Sequence, residues 1–259
     1  MNDADIAKKT GQVSERIPAY KLNEVRMNGD DGTFSLVELL SPKNADTGKY
    51  NTQKLGSAVD GVIIKMRWKL SKFKEGEPGL NTSEFDNKSK DKVVLFGTNE
   101  RGIAQNIKER FALTTQRVLY VYMPKQGEVV RLIVKPSAFS RKNPNDPAGL
   151  FDFINDHEKA GTFVHKYWTT FSCKFQEGKN QDCSPNKRKD HFSMAFACGK
   201  PLTEEQQQKI YGMIEEVDSK TTSFAAQFAV TYEPTPEKEI TPGGVDYPTE
   251  DLDPEAVPF

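Results

Sequence analysis

The chain alternates between short apolar runs and long polar stretches, and the clearest periodicity has period two. In "DGVIIKMRWKLSKFK" (60–74), Val62, Ile64, Met66, Trp68 and Leu70 share one parity, and Ile63, Lys65, Arg67 and Lys69 share the other. That alternation predicts a half-buried strand with a basic open face. Further strands are predicted at 92–97, 116–124, 128–136, 162–176 and 190–198, with a shorter strand or helical turn at 32–42. Lys125-Gln126-Gly127 between two of these runs predicts a hairpin. In the run 128–136, Val130, Leu132 and Val134 are expected inward, with Arg131 and Lys135 outward.

Three stretches have helical spacing instead. Ile103, Ile107 and Phe111 form a stripe within 99–113. Asp146 and Pro147 start a helix that Gly161 stops. "TEEQ" (203–206) is a capping box opening a helix with Ile210, Met213, Ile214 and Val217 on one face. No βαβ alternation and no internal repeat is visible. The fold expected is therefore mainly β or α+β, an OB-like antiparallel barrel enlarged by about three helices. Residues 1–30 are expected as a loosely ordered arm, 31–232 as the folded domain and 233–259 as a disordered acidic tail.

Charge sharpens that division. Eight acids against Lys238 give residues 233–259 a charge of −7, which leaves +6 for residues 1–232 of a chain whose net charge is −1. A basic body beside an acidic tail is the split expected of a polyanion-binding protein. The tail is also rich in proline, from Pro234 to Pro258, and poor in the apolar area that would offset ordering. No run of about 18 apolar residues marks a membrane span. "MNDADIAKKTGQ" has no apolar leader, and three cysteines fit a reducing, cytoplasmic setting without structural disulfides.

The basic positions have the spacing of a groove that tracks a sugar–phosphate backbone. Lys65, Arg67, Lys69, Lys72 and Lys74 follow one strand, Arg131 and Lys135 a probable neighbour, and Lys187, Arg188 and Lys189 a further loop. Tyr120, Tyr122 and Trp168 are the aromatic positions expected to stack on bases. Trp68 has the apolar parity of its strand and is read as core. Cys173, Cys183, His191 and Cys198 can be written as C-x9-C-x7-H-x6-C, but the spacing lacks a C-x2-C knuckle and reads as unlinked thiols, with no cofactor expected. Neither a phosphate-binding glycine loop nor an H-E-x-x-H motif occurs, so no enzymatic activity is expected.

The last residues carry a more specific signal. Asp251, Asp253 and Glu255 lead to Val257, Pro258 and Phe259. This stretch resembles the acidic tip of bacterial single-stranded DNA-binding proteins, in which aspartates precede an apolar-Pro-Phe terminus. Some phage single-stranded DNA-binding proteins likewise end in an acidic run closed by phenylalanine. Val257 stands where the family usually has isoleucine, and Ala256 where it usually has an acid. The body is about twice the length of the family's OB domain and lacks its long Gly/Gln-rich linker. The resemblance implies a non-catalytic protein that coats single-stranded DNA and recruits replication, recombination and repair enzymes through the tip. An assembly protein whose tail docks a partner, and whose basic face is only a solvated surface, is the alternative expectation.

Overall fold

A computed structural model describes residues 22–73, 79–85, 92–96, 98, 100–141, 144–177 and 190–230, with backbone alone at 92 and 221–230. Eleven strands and three α-helices make up these residues, so the protein is mainly β. Its organising element is β4, Ala58–Lys72. Fifteen residues span about 50 Å at the usual strand rise, long enough to serve two neighbours on one edge. β8 (Thr114–Met123) pairs antiparallel along most of β4. On the opposite edge, β10 (Tyr167–Gln176) takes Ala58–Gly61, and β5 (Leu80–Thr82) takes Ser71 and Lys72.

From β8 the sheet continues through β9 (Glu128–Val134) to β1 (Glu24–Asn28), β2 (Thr33–Val37) and β3 (Thr52–Gly56). All these contacts are antiparallel except that of β1 with β9. From β5 the sheet continues through β6 (Lys92–Phe96) to β7 (Glu100–Ile103), and β11 (His191–Pro201) flanks β10. The helices are α1 (Ala104–Arg110), α2 (Leu150–Lys159) and α3 (Glu204–Val230).

β4 carries a β-bulge: Ile63 pairs with Val121 and Lys65 with Tyr120, leaving Ile64 as an extra residue. A bulge changes which parity faces the core. Before it, Val59 and Ile63 join the main core; after it, Met66 packs against that core. Lys65, Arg67 and Lys69 thus share a face with Val62 rather than with Ile63, whose parity they have in the sequence.

The main core lies on the other face. Phe34, Ile63, Leu119, Leu132, Phe171 and Phe196 pack there against Leu150 and Phe153 of α2. On the basic face, at its β4 N-terminal end, Ile210 and Val217 of α3 cover Val62, Ile64, Val118, Tyr120 and Tyr122. A third cluster joins Leu70, Phe85, Val93 and Leu95 to Ala104 and Ile107 of α1. Each buried Val, Leu, Ile or Phe among them contributes about 1.5–3 kcal/mol.

The strongly periodic segments fold as their patterns predict. The β8–β9 hairpin turns at Gly127, whose φ of 69° suits glycine. Thr203 and Gln206 form the expected capping box, by hydrogen bonds of 3.0 and 3.3 Å. Four strands arise where the sequence reads as arm, loop or helix. β1 lies in the expected arm, β3 in the polar stretch 44–58, β5 in the polar stretch 74–91, and β7 at the front of the expected helix 99–113. The second helix starts at Leu150 rather than beside Asp146, because the Asp152 carboxylate accepts from the backbone N–H groups of Gly149 and Arg141. Asp146 pairs with Lys174 at 2.7 Å instead. No helix among the described residues is long and apolar enough to cross a membrane.

Candidate nucleic-acid interface

Strand register places the basic residues of three strands on one face. Lys65, Arg67 and Lys69 of β4 stand opposite Tyr120, Val118 and Gln116 of β8. Tyr120 in turn stands opposite Arg131 of β9, and Arg131 opposite Glu24 of β1. Lys135 and Arg26 continue that face by strand alternation.

The middle of this face is a buried ionic network rather than an open track. Glu84 is its centre: its carboxylate accepts from the Tyr120 hydroxyl at 2.6 Å and from Arg131, and its carbonyl accepts from Arg67 Nη2 at 3.2 Å. Glu24 accepts from Arg26 Nε at 2.6 Å and lies 3.9 Å from Arg131 Nη1. Burial opposes the charge on Arg131, but Glu84, Tyr120 and Glu24 outweigh it and hold its pKa above the ordinary value. Burial, then the Glu84 carboxylate, pushes the Tyr120 phenol far above its ordinary range, so it stays a neutral donor. Lys65 forms an ion pair of 2.5 Å with Asp218 of α3.

Beyond the network the face opens. β1 and β9 pair only at Glu24↔Arg131 and Val25↔Leu132, although both strands continue. Their diverging ends, with the C-terminal end of β4 and the start of β8, bound an open cleft of about 280 Å³. Among the described residues four cations line it (Arg26, Lys69, Lys72 and Lys135), with one carboxylate, Glu24. Among the described residues Lys69, Lys72 and Lys135 make no salt bridge. Burial, then repulsion by Arg131, lowers the Lys69 pKa, and the attraction of Glu84 and Glu24 does not offset them. Phe73, on the same wall, is 86% exposed, far more than an aromatic ring without a partner ordinarily is.

No family model matches the chain, and neither does any curated protein or solved structure. The cleft sets lysine ammonium groups on its wall beside the solvent-facing ring of Phe73.

The structure redistributes the residues expected from sequence. Lys69, Lys72 and Lys135 come together at the cleft. Arg67 is buried and Arg131 mostly so, and both belong to the network. Lys65 lies at the far end, under α3. The stacking role expected of Tyr120 and Tyr122 does not fit their positions: both are buried in the cluster beneath α3. The Tyr122 hydroxyl accepts from Lys209 Nζ at 3.0 Å, with that ammonium 4.9 Å from the ring centroid. Trp168 packs half-buried against the same cluster, away from the cleft.

The weak zinc set is not assembled. Cys173 pairs with Met194, and Cys198 with Thr169, four residues further along the β10–β11 ladder. That separates the thiols by roughly 13 Å. His191 lies at the opposite end from Cys198, opposite Gln176. Burial pushes the Cys173 thiol up to about 11, against metal binding as a thiolate. Lys74, Cys183, Lys187, Arg188, Lys189 and the segment 251–259 lie outside the described residues.

The sequence pattern did not assign Arg26, Phe73, Asn81 or Gln116 to the site. Arg26 was hidden in a polar stretch without alternation. For Phe73 the signal was available: a lone aromatic between lysines, whose i±2 neighbours, Ser71 and Glu75, are both polar.

Proposed function

We propose that the protein binds single-stranded DNA without catalysis, with the β1–β9–β4 cleft as the entry to its binding groove. The observation that carries this reading is the cleft's composition: three lysines without a salt bridge among the described residues, Arg26, and the exposed ring of Phe73. Phosphates would be neutralised at the lysines while one base stacks on Phe73. Duplex DNA presents its bases already stacked and paired, so a lone ring at a cleft rim favours a single strand.

The topology supports a finer reading of the fold as an OB-like, partly open barrel. The meander β4–β8–β9, a parallel return by β1, then antiparallel β2 and β3, with β3 running straight into β4, brings the ends of the path close together. Barrels of this kind bind oligonucleotides across such a strand face. The acidic tip is assigned the role its resemblance implies, docking of replication and repair enzymes through Phe259.

The test is fluorescence polarisation with a dye-labelled oligo-dT and a duplex of equal length. The single strand is expected to bind at least tenfold tighter, and Phe73→Ala to weaken it about tenfold, the usual effect of losing one stacked base. Equal affinity for the two forms, or no effect of Phe73→Ala, contradicts the proposal. For the tip, Phe259→Ala should abolish capture of partner enzymes while single-strand affinity persists. Unchanged capture returns the tail to a solubilising role.

A further inference from the structure

One histidine fastens α2 to β10. His157, near the C-terminal end of α2, is 6% exposed. Its ring packs against Phe153 of the same helix and against Tyr167, the first residue of β10, at centroid distances of 4.8 and 5.1 Å. Phe153 in turn meets Phe196 of β11 at 6.0 Å, so the histidine adjoins the main core. Its Nδ1 lies 2.8 Å from the Thr162 hydroxyl, and that hydroxyl donates to the His157 carbonyl oxygen at 3.2 Å. A hydroxyl has one proton to give. Nδ1 must therefore carry the ring proton and donate it to Thr162, and Nε2 is left as a bare lone pair. Nε2 has no partner among the described residues and lies out of reach of solvent. The other tautomer would make one bond fewer and leave a buried N–H unpaired.

A proton added at Nε2 would become a charged donor facing no acceptor, beside two aromatic rings. The charged and titratable groups on the packed elements are Asp156, Glu158 and Lys159 of α2, and His165 and Lys166 on the turn that leads into Tyr167. Of these, Asp156 is the one whose charge favours a proton on the ring, and it is itself paired with Arg141 at 3.1 Å. Burial outweighs it and holds the ring's pKa below the ordinary histidine value. We propose that His157 is an acid-sensitive joint: protonation at Nε2 breaks the packing of α2 on β10, and through this ring the fold loses stability as pH falls below neutral. The unfolded chain takes up the proton first, near the ordinary value of about 6.5, so the loss begins there and grows as pH falls toward the folded value. The joint lies on α2, apart from the cleft, and does not depend on the single-strand reading.

Two measurements on the full chain test this. Urea denaturation gives the folding equilibrium constants of the wild type and of His157→Phe at about pH 7.5 and about pH 5. Phenylalanine fills the ring's place and cannot charge, while Thr162 keeps its bond to the main-chain carbonyl. Carboxylates and the other histidines titrate alike in both proteins. The wild type should therefore lose about tenfold more of its folding constant than the variant over this interval. Long-range proton–nitrogen NMR of the wild type reads the ring directly. It should show the Nδ1–H tautomer at about pH 7.5, still neutral in the folded protein at about pH 6, where a free histidine is mostly charged. Equal pH dependence of the two proteins, an Nε2–H tautomer, or a folded-state ring half-charged at about pH 6.5 would each overturn the joint. If His157→Phe does not fold, the NMR titration decides alone.

Discussion

Tyr120 shows how one residue's environment decides its role. In sequence it is an aromatic beside basic positions, as a stacking residue would be. In the structure its ring is 3% exposed and its hydroxyl donates to the Glu84 carboxylate at 2.6 Å. Hydrogen bonds to charged groups contribute about 1.5–3 kcal/mol. Tyr120→Phe should therefore lower stability in urea denaturation by about 1–2 kcal/mol and leave single-strand affinity within about twofold. A tenfold loss of affinity at unchanged stability would place the ring against bases and reverse the assignment. The parity of Tyr120 was legible, since it does share a face with Lys65 and Arg131. What covers that face was not, because α3 and Glu84 come from far along the chain.

At the level of elements, β4 and its bulge explain most of the difference between pattern and structure. The period-two signal located the strand to within two residues at each end. It could not show that one inserted residue at Ile64 switches the buried parity, because the segment on either side alternates equally well. Short strands such as β3 and β5 were illegible for another reason. They are polar and find their place by pairing with a neighbour rather than by burying an apolar row. Gly61 marks the place where β4 is held between β8 and β10. A Cβ there would lie 2.4 Å from Val121 Cγ1 and 2.8 Å from the Tyr122 carbonyl oxygen. Gly61→Ala should thus destabilise the fold by about 1–3 kcal/mol through overpacking. A neutral result in the same denaturation assay would mean that β4 and β8 can part there without cost.

For the whole molecule, the account joins a basic body to an acidic tail. Residues 1–232 carry +6 and residues 233–259 carry −7, so under the proposed function the tail would compete with a bound polyanion for the body's cations. Within the body, carboxylates already pair with part of that charge, Arg131 with Glu84 and Lys65 with Asp218, and Arg67 donates to the Glu84 carbonyl. Lys69, Lys72 and Lys135, which make no salt bridge among the described residues, line the cleft together. The central claim is that these three lysines bind phosphates of a single strand. Its most direct test is the salt dependence of oligo-dT affinity for the full chain and for the combined Lys69→Ala, Lys72→Ala and Lys135→Ala variant. With about four phosphate contacts, log affinity against log salt should fall with a slope near −3 for the wild type. Losing three contacts should bring the variant's slope to about −1. A flat wild-type response, or a variant with the wild-type slope, would contradict the account.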